Sequence, residues 1–184
     1  SLLFVAVCLG LLWLYSFSPA RCSYRGGGEL LQMFGVGVVL PVFGYYVQAG
    51  RISGFPWSFL FFILPAQLAC AMATALPDHP SDRQSSKRTF AVLLGPGIVK
   101  AGIIILNSMS ILFFLLMLQG VVAIPAVWYG MLPSLLCNAV MLFLIPASAA
   151  GTKRLNLFVT CGVASTVCLM AISALLLLYA RGSL

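Results

Sequence analysis

Long apolar runs alternate with short polar interruptions along the whole chain. Six runs stand out, at about residues 1–16, 30–50, 55–76, 97–118, 121–148 and 155–180, the last lying between Arg154 and Arg181 with no charge inside it. A helix needs about 20 apolar residues to cross the hydrocarbon core of a bilayer. A spanning strand would alternate apolar and polar positions over segments of about ten residues. Lipid offers no partners to open backbone groups, so runs this long and this continuously apolar predict helices. The pattern predicts an all-α membrane protein with six transmembrane helices, a single transmembrane domain over residues 1–184.

Glycine and proline punctuate the runs. Gly35, Gly37 and Gly44 fall in the second, and Ala69, Ala71, Ala73 and Ala75 in the third. Ala69 and Ala73 are four apart, as are Ala71 and Ala75, a spacing that lets two helix backbones approach closely. Pro41, Pro65, Pro125, Pro133 and Pro146 fall within runs and predict kinks or breaks, with neighbours re-satisfying the freed carbonyls. The chain shows no internal repeat.

Composition narrows the class. Of 184 residues, 62% are hydrophobic and 7% are charged, against roughly 25% charged in soluble domains. That excludes a soluble enzyme, a disordered chain and a disulfide scaffold. The six cysteines (Cys8, Cys22, Cys70, Cys137, Cys161, Cys168) are scattered and form no CxxC pair, so they read as apolar packing. The net charge of +7 comes from short basic clusters between apolar runs, which reads as cationic loops beside a lipid bilayer and not as a nucleic-acid surface.

Those clusters set an orientation. Arg21, Arg25, Arg83, Lys87, Arg88, Lys100, Lys153 and Arg154 fall on one side, and Arg51 and Arg181 on the other. The positive-inside rule places the first group in the cytoplasm, and with it the three carboxylates Glu29, Asp78 and Asp82. Segment one then runs from outside to inside. Ser1 is not Met, and the chain opens within an apolar run, Leu2 to Leu14, with no basic n-region or cleavage site. This predicts an N-terminally incomplete chain that begins inside a transmembrane helix, with an odd number of spans upstream if the protein starts in the cytoplasm.

The polar loop over 77–96 carries the candidate chemistry: Leu76-Pro77-Asp78-His79-Pro80-Ser81-Asp82-Arg83-Gln84-Ser85-Ser86-Lys87-Arg88-Thr89. Asp78 and Asp82 are four apart, which on a helical turn sets both carboxylates on one face. Pro80 is compatible if Asp78 caps that turn and Pro80 lies within it. Two hard anionic donors suit Mg²⁺, which is usually held by one or two carboxylates plus substrate phosphates. Arg83, Lys87 and Arg88 follow within six residues and suit the remaining phosphate charge. The plainer alternative is a solvated loop whose Asp and Arg make weak surface pairs. Arg21 and Arg25 read either as a positive-inside anchor beside a glycine turn or as a second set of phosphate-binding cations. Glu29 reads as a loop-end residue at the membrane surface. His79, the only histidine, reads as incidental. Tyr45-Tyr46-Val47-Gln48 reads as an interfacial aromatic belt.

With these motifs the chain resembles the UbiA-type membrane prenyltransferases. The residues that carry the resemblance are Tyr15-Ser16, Pro19, Arg21, Tyr24-Arg25-Gly26, Tyr45-Tyr46-Val47-Gln48, Leu76-Pro77-Asp78, Asp82-Arg83, Lys87-Arg88-Thr89, Val92 and Leu94-Gly95, ending near Pro96. Within the family it is most similar to the menaquinone-pathway branch that prenylates dihydroxynaphthoate. The resemblance implies a nine-helix bundle of which this chain is the C-terminal two-thirds. It implies Mg²⁺ held by two Asp-rich motifs, with Asp78 and Asp82 as the second, catalytic and metal-binding one. The first motif is absent here, and three upstream helices would carry it, so the 184-residue chain alone is expected to be inactive. Arg21, Arg25, Arg83, Lys87 and Arg88 would bind diphosphate. The implied reaction transfers a polyprenyl group from polyprenyl diphosphate to an aromatic quinone precursor in a bacterial plasma membrane. The sequence departs from the family pattern at Ala73-Thr74-Ala75, where asparagines are usual, at Ser86, where glycine is usual, and at Pro80. The alternative is a non-enzymatic six-helix transporter or assembly subunit. Transporters place ionisable groups inside their spans, and here the span interiors hold no acid.

Overall fold

Apolar side chains leave the backbone to satisfy its own polar groups, and in this chain it does so as helix. The computed structural model describes residues 2–118, 124–146 and 151–182, and these contain no strand. The helices are α1 (Leu2–Ser16), α2 (Cys22–Arg25), α3 (Gly28–Ala49), α4 (Leu60–Ala75, entered through a 3₁₀ turn at Trp57–Phe59), α5 (His79–Gln84), α6 (Phe90–Leu94), α7 (Pro96–Met117), α8 (Ile124–Leu144) and α9 (Lys153–Gly182).

All six predicted segments are therefore helical. Four helical stretches among the described residues are long and apolar enough to cross a membrane: Gly28–Ala49, Trp57–Ala75, Pro96–Met117 and Lys153–Leu175. The segment predicted over 1–16 is a shorter apolar helix of 15 residues. The segment predicted over 121–148 is met by α8, and its ends at 121–123 and 147–148 lie outside the described residues. Large apolar side chains such as Leu3, Leu9, Phe61, Ile98 and Phe143 are exposed, as lipid-facing residues are.

The prolines act locally. Pro41 lacks an N–H and crowds the carbonyl of the preceding turn. The chain widens there into a π turn over Gly35–Val39, where the Leu40 N–H donates to the Gly35 carbonyl, and α3 continues through it. Pro65 lies inside α4, where the Ser110 hydroxyl of α7 donates to the nearby Phe62 carbonyl.

α4 is the hub, packing against α3, α7 and α9, while α8 packs mainly on α9. Two apolar clusters lie along it. Toward its C-terminal end, Ala69, Met72, Ala73 and Leu76 meet Val99 and Ile103 of α7, Met141 of α8 and Phe158 of α9. Toward its other end, Phe62, Ile63 and Ala66 meet Ile111, Phe114, Met131 and Leu169. Lipid tails are as apolar as leucine, so close packing and interhelical hydrogen bonds hold such helices together. Both are present. A Cβ at Gly162 of α9 would stand 3.3 Å from the Ala73 Cβ and 3.5 Å from the Met141 Sδ. The Thr166 hydroxyl donates to the Ala66 carbonyl at 3.2 Å, and the Ser134 hydroxyl donates to the Ser165 carbonyl at 3.0 Å. The predicted small-residue packing face of α4 is thus real: Ala69 and Ala73 are fully buried. α1 has no buried residue and meets α3 through the Phe4 ring, which lies 5.0 Å from Phe43 and 5.4 Å from Tyr46.

Candidate functional site

The site forms where helices end. α4 closes at Ala75, and the chain turns through Leu76-Pro77 into α5. Asp78 takes the N-cap position of α5, its side chain making no cap hydrogen bond, and Pro80 sits in the first turn, the arrangement under which Pro80 is compatible with a helical turn. The Asp78 carbonyl accepts the Asp82 N–H at 2.8 Å and the Ser81 hydroxyl at 2.9 Å. Helical spacing continues from the span into the loop: Ala71, Ala75, Asp78 and Asp82 recur every three or four residues, and all four line one cavity of about 240 Å³.

The opposite wall comes from the start of the chain. Tyr15 lies in the last turn of α1, and the Ser23 hydroxyl of α2 donates to the Tyr15 carbonyl at 2.7 Å. Glycines then bring the chain back: Gly26 holds φ +96, a conformation open chiefly to glycine. Gly28, Glu29 and Gln32 of α3 complete this wall, with Thr74, Lys87 and Thr89 closing the cavity.

Charge within the cavity is concentrated. Asp82 is 5% exposed and its Oδ1 lies 3.3 Å from the Lys87 Nζ. The Lys87 N–H also donates to the Asp82 carbonyl at 3.0 Å, so the residue is tied by backbone and side chain. The hydrogen bond to Asp82, and then its charge, hold the Lys87 ammonium above the usual lysine range. Asp78 is exposed, its carboxylate open to solvent. Among the described residues no cluster of three or more His, Cys, Asp or Glu is placed to hold a metal.

Glu29 departs from expectation. Predicted at the membrane surface, it is buried at 4% exposure. Its Oε1 accepts the N–H of Phe90, the first residue of α6, at 2.7 Å. Its Oε2 is buried without a hydrogen-bond partner, as is the Thr89 hydroxyl. Local sequence could not reveal this, because the partner lies 61 residues away.

The cations divide. Lys87 lines the cavity; Arg21, Arg25, Arg83 and Arg88 are exposed and are not among its lining residues. Arg21 stacks its guanidinium 4.7 Å from the centre of the Tyr24 ring. His79 also stands outside the lining. Tyr15, Ser23, Gln32 and Thr74 line the cavity without having been singled out as site residues by spacing. Gln32 follows Glu29 by three residues on α3 and Thr74 precedes Asp78 by four, so helical periodicity was the signal that would have found them. All six cysteines are free, and Cys161 is buried.

Comparison with known proteins gives one match. The family model for the UbiA prenyltransferase family matches residues 1–161, well past Pro96, where the recognisable motif residues end. No curated protein and no solved structure matches the chain. The chain belongs to the UbiA prenyltransferase family, integral membrane enzymes that use prenyl diphosphates and aromatic acceptors.

Proposed function

We propose that this member of the UbiA prenyltransferase family, when full-length, catalyses Mg²⁺-dependent transfer of a polyprenyl group from polyprenyl diphosphate to an aromatic quinone precursor, dihydroxynaphthoate being the acceptor that the sequence resemblance favours. The observation that carries the reading is the meeting of Asp78, Asp82 and Lys87 on one cavity at the end of an apolar bundle.

The residues present fit Mg²⁺. Two carboxylates four apart line the cavity, one open to solvent and one buried, and Mg²⁺ keeps several waters and takes only one or two protein carboxylates alongside substrate phosphates. Asp78 and Asp82 would hold it. When bound, the ion would neutralise charge on the departing diphosphate. Lys87 presents its ammonium to the same leaving group, and the Asp82 contact fixes where that ammonium sits. Because Asp82 holds Lys87 above the usual lysine range, the side chain is cationic throughout the physiological range. The exposed arginines Arg21, Arg25, Arg83 and Arg88 supply further positive potential near the loop and attract the polyanionic head group. Departure of diphosphate from an allylic carbon leaves a carbocation, which the electron-rich ring of the acceptor attacks with loss of a ring proton. The apolar helices keep the prenyl tail and the cation away from water. The cation-rich side, with the Asp78–Asp82 loop, faces the cytoplasm by the positive-inside rule, in a bacterial plasma membrane by the same resemblance.

Asp78→Asn tests the reading. Asp78 is exposed, so the fold should survive. Mg²⁺-dependent transfer of radiolabelled prenyl groups by the full-length protein in lipid nanodiscs should fall about a hundredfold or more. Undiminished transfer would sink the assignment of this carboxylate.

A further inference from the structure

The arm that carries Lys87 is held from outside. It runs from Ser85 to Thr89 between α5 and α6, and its backbone does not favour the shape it adopts: Ser86 holds φ +59, a conformation that side chains other than glycine rarely take. Three contacts fix it. At its start, Lys87 is bound to Asp82 by the N–H at 3.0 Å and by the ammonium at 3.3 Å. At its middle it presses on the α2–α3 turn: a Cβ at Gly26 would stand 3.3 Å from the Arg88 carbonyl oxygen and 2.9 Å from the Leu93 Cδ1. At its end the Phe90 N–H donates to the Glu29 Oε1 at 2.7 Å.

The last contact is not a local one. Thr89 stands at the N-cap of α6 with extended backbone, where a threonine hydroxyl ordinarily accepts a hydrogen bond from the second or third helical residue. Here it makes no such bond, and the N–H of Phe90, the first helical residue, is accepted by a carboxylate from α3. A local cap would stabilise α6 alone. A cap delivered from α3 ties the arm to the wall of the cavity that α3 builds. Burying a carboxylate costs free energy, more so with one oxygen left unpartnered, so the tie is retained against a local penalty.

We propose that Glu29 is a positioning residue for the Asp82–Lys87 pair, holding the Ser85–Thr89 arm so that the Lys87 ammonium faces the cavity. The proposal rests on the reading of that cavity as the diphosphate site, and its test is chosen to separate the two. Glu29→Gln keeps a carbonyl acceptor for the Phe90 N–H, whereas Glu29→Ala removes it. Hydrogen–deuterium exchange across residues 86–92 reads the tie directly and needs no substrate. Exchange there should quicken about tenfold in Glu29→Ala and stay within about threefold of the unsubstituted protein in Glu29→Gln. In the full-length protein, kcat/KM for prenyl diphosphate should fall about tenfold in Glu29→Ala, and Glu29→Gln should restore it. If Glu29→Ala does not fold, Glu29→Asp keeps the charge but draws the carboxylate back from the Phe90 N–H and should quicken the same exchange. Unchanged exchange in a folded Glu29→Ala or Glu29→Asp overturns the proposal. So does a Glu29→Gln protein that keeps the arm protected yet shows the lowered kcat/KM, because the charge would then act on the ligand. Were the unsubstituted protein to use no prenyl diphosphate, the functional reading would fall while exchange still decided the positioning role.

Discussion

Lys87→Met separates what the Asp82–Lys87 pair does for the fold from what it does for the ligand. At 3.3 Å, two unit charges attract by about 1 kcal/mol in water and about 5 kcal/mol at an effective dielectric of 20. The Lys87 side chain is 37% exposed, so water screens the pair and its worth lies near the lower figure. Methionine keeps the stem but leaves the buried Asp82 carboxylate without its partner, and the loss of stability should come to about 1–2 kcal/mol. A charge-assisted hydrogen bond to a phosphate is worth about 1.5–3 kcal/mol, or about 10–150-fold in kcat/KM. Lys87→Met should therefore fold, melt slightly early, and lose about 10–150-fold in kcat/KM. The pH dependence carries a second signature. The folded Lys87 pKa is raised above 10.5, so the pair's contribution is fully present below that value and is lost as pH rises through the raised one. Above pH 10.5 the unsubstituted protein should lose its margin over Lys87→Met. Thermal melting across pH and steady-state transfer at fixed Mg²⁺ measure both. A variant with full kcat/KM and a clear loss of stability would show that Lys87 only braces Asp82.

Two further outcomes follow from the backbone. Ser86→Gly relieves a left-handed non-glycine residue and should raise stability by about 0.5–1 kcal/mol, with transfer retained; an earlier melt would contradict the strain assigned to φ +59. Gly162→Leu, aimed at Ala73, Met141 and Ile103 within 3.7 Å, should separate α4 from α9 and cost about 1–3 kcal/mol or more, while Gly10→Leu, with nothing within 4 Å, should leave the melt nearly unchanged.

The helices were legible because lipid leaves helix as the only solution for long apolar runs, and the third run, read as 55–76, is helical over Trp57–Ala75. α2 and α6, of four and five residues, are too short for any periodicity to announce them. The four-residue spacing of Asp78 and Asp82 predicted a shared face, and both line one cavity. Glu29 was not legible, since its role depends on an N–H from a distant helix. Charge and spacing place Arg83 and Arg88 beside Lys87; of the three, Lys87 lines the cavity, next to the left-handed Ser86. The glycine usual at Ser86 in the family now has a physical reason, a positive φ.

The central claim, that Asp78, Asp82 and Lys87 form a Mg²⁺-diphosphate site, is tested most directly without any acceptor. Calorimetric binding of inorganic diphosphate to the protein in nanodiscs, with and without Mg²⁺, should show Mg²⁺-dependent binding that Asp82→Asn weakens by about tenfold or more. Diphosphate binding that ignores Mg²⁺, or that survives Asp82→Asn unchanged, would contradict it.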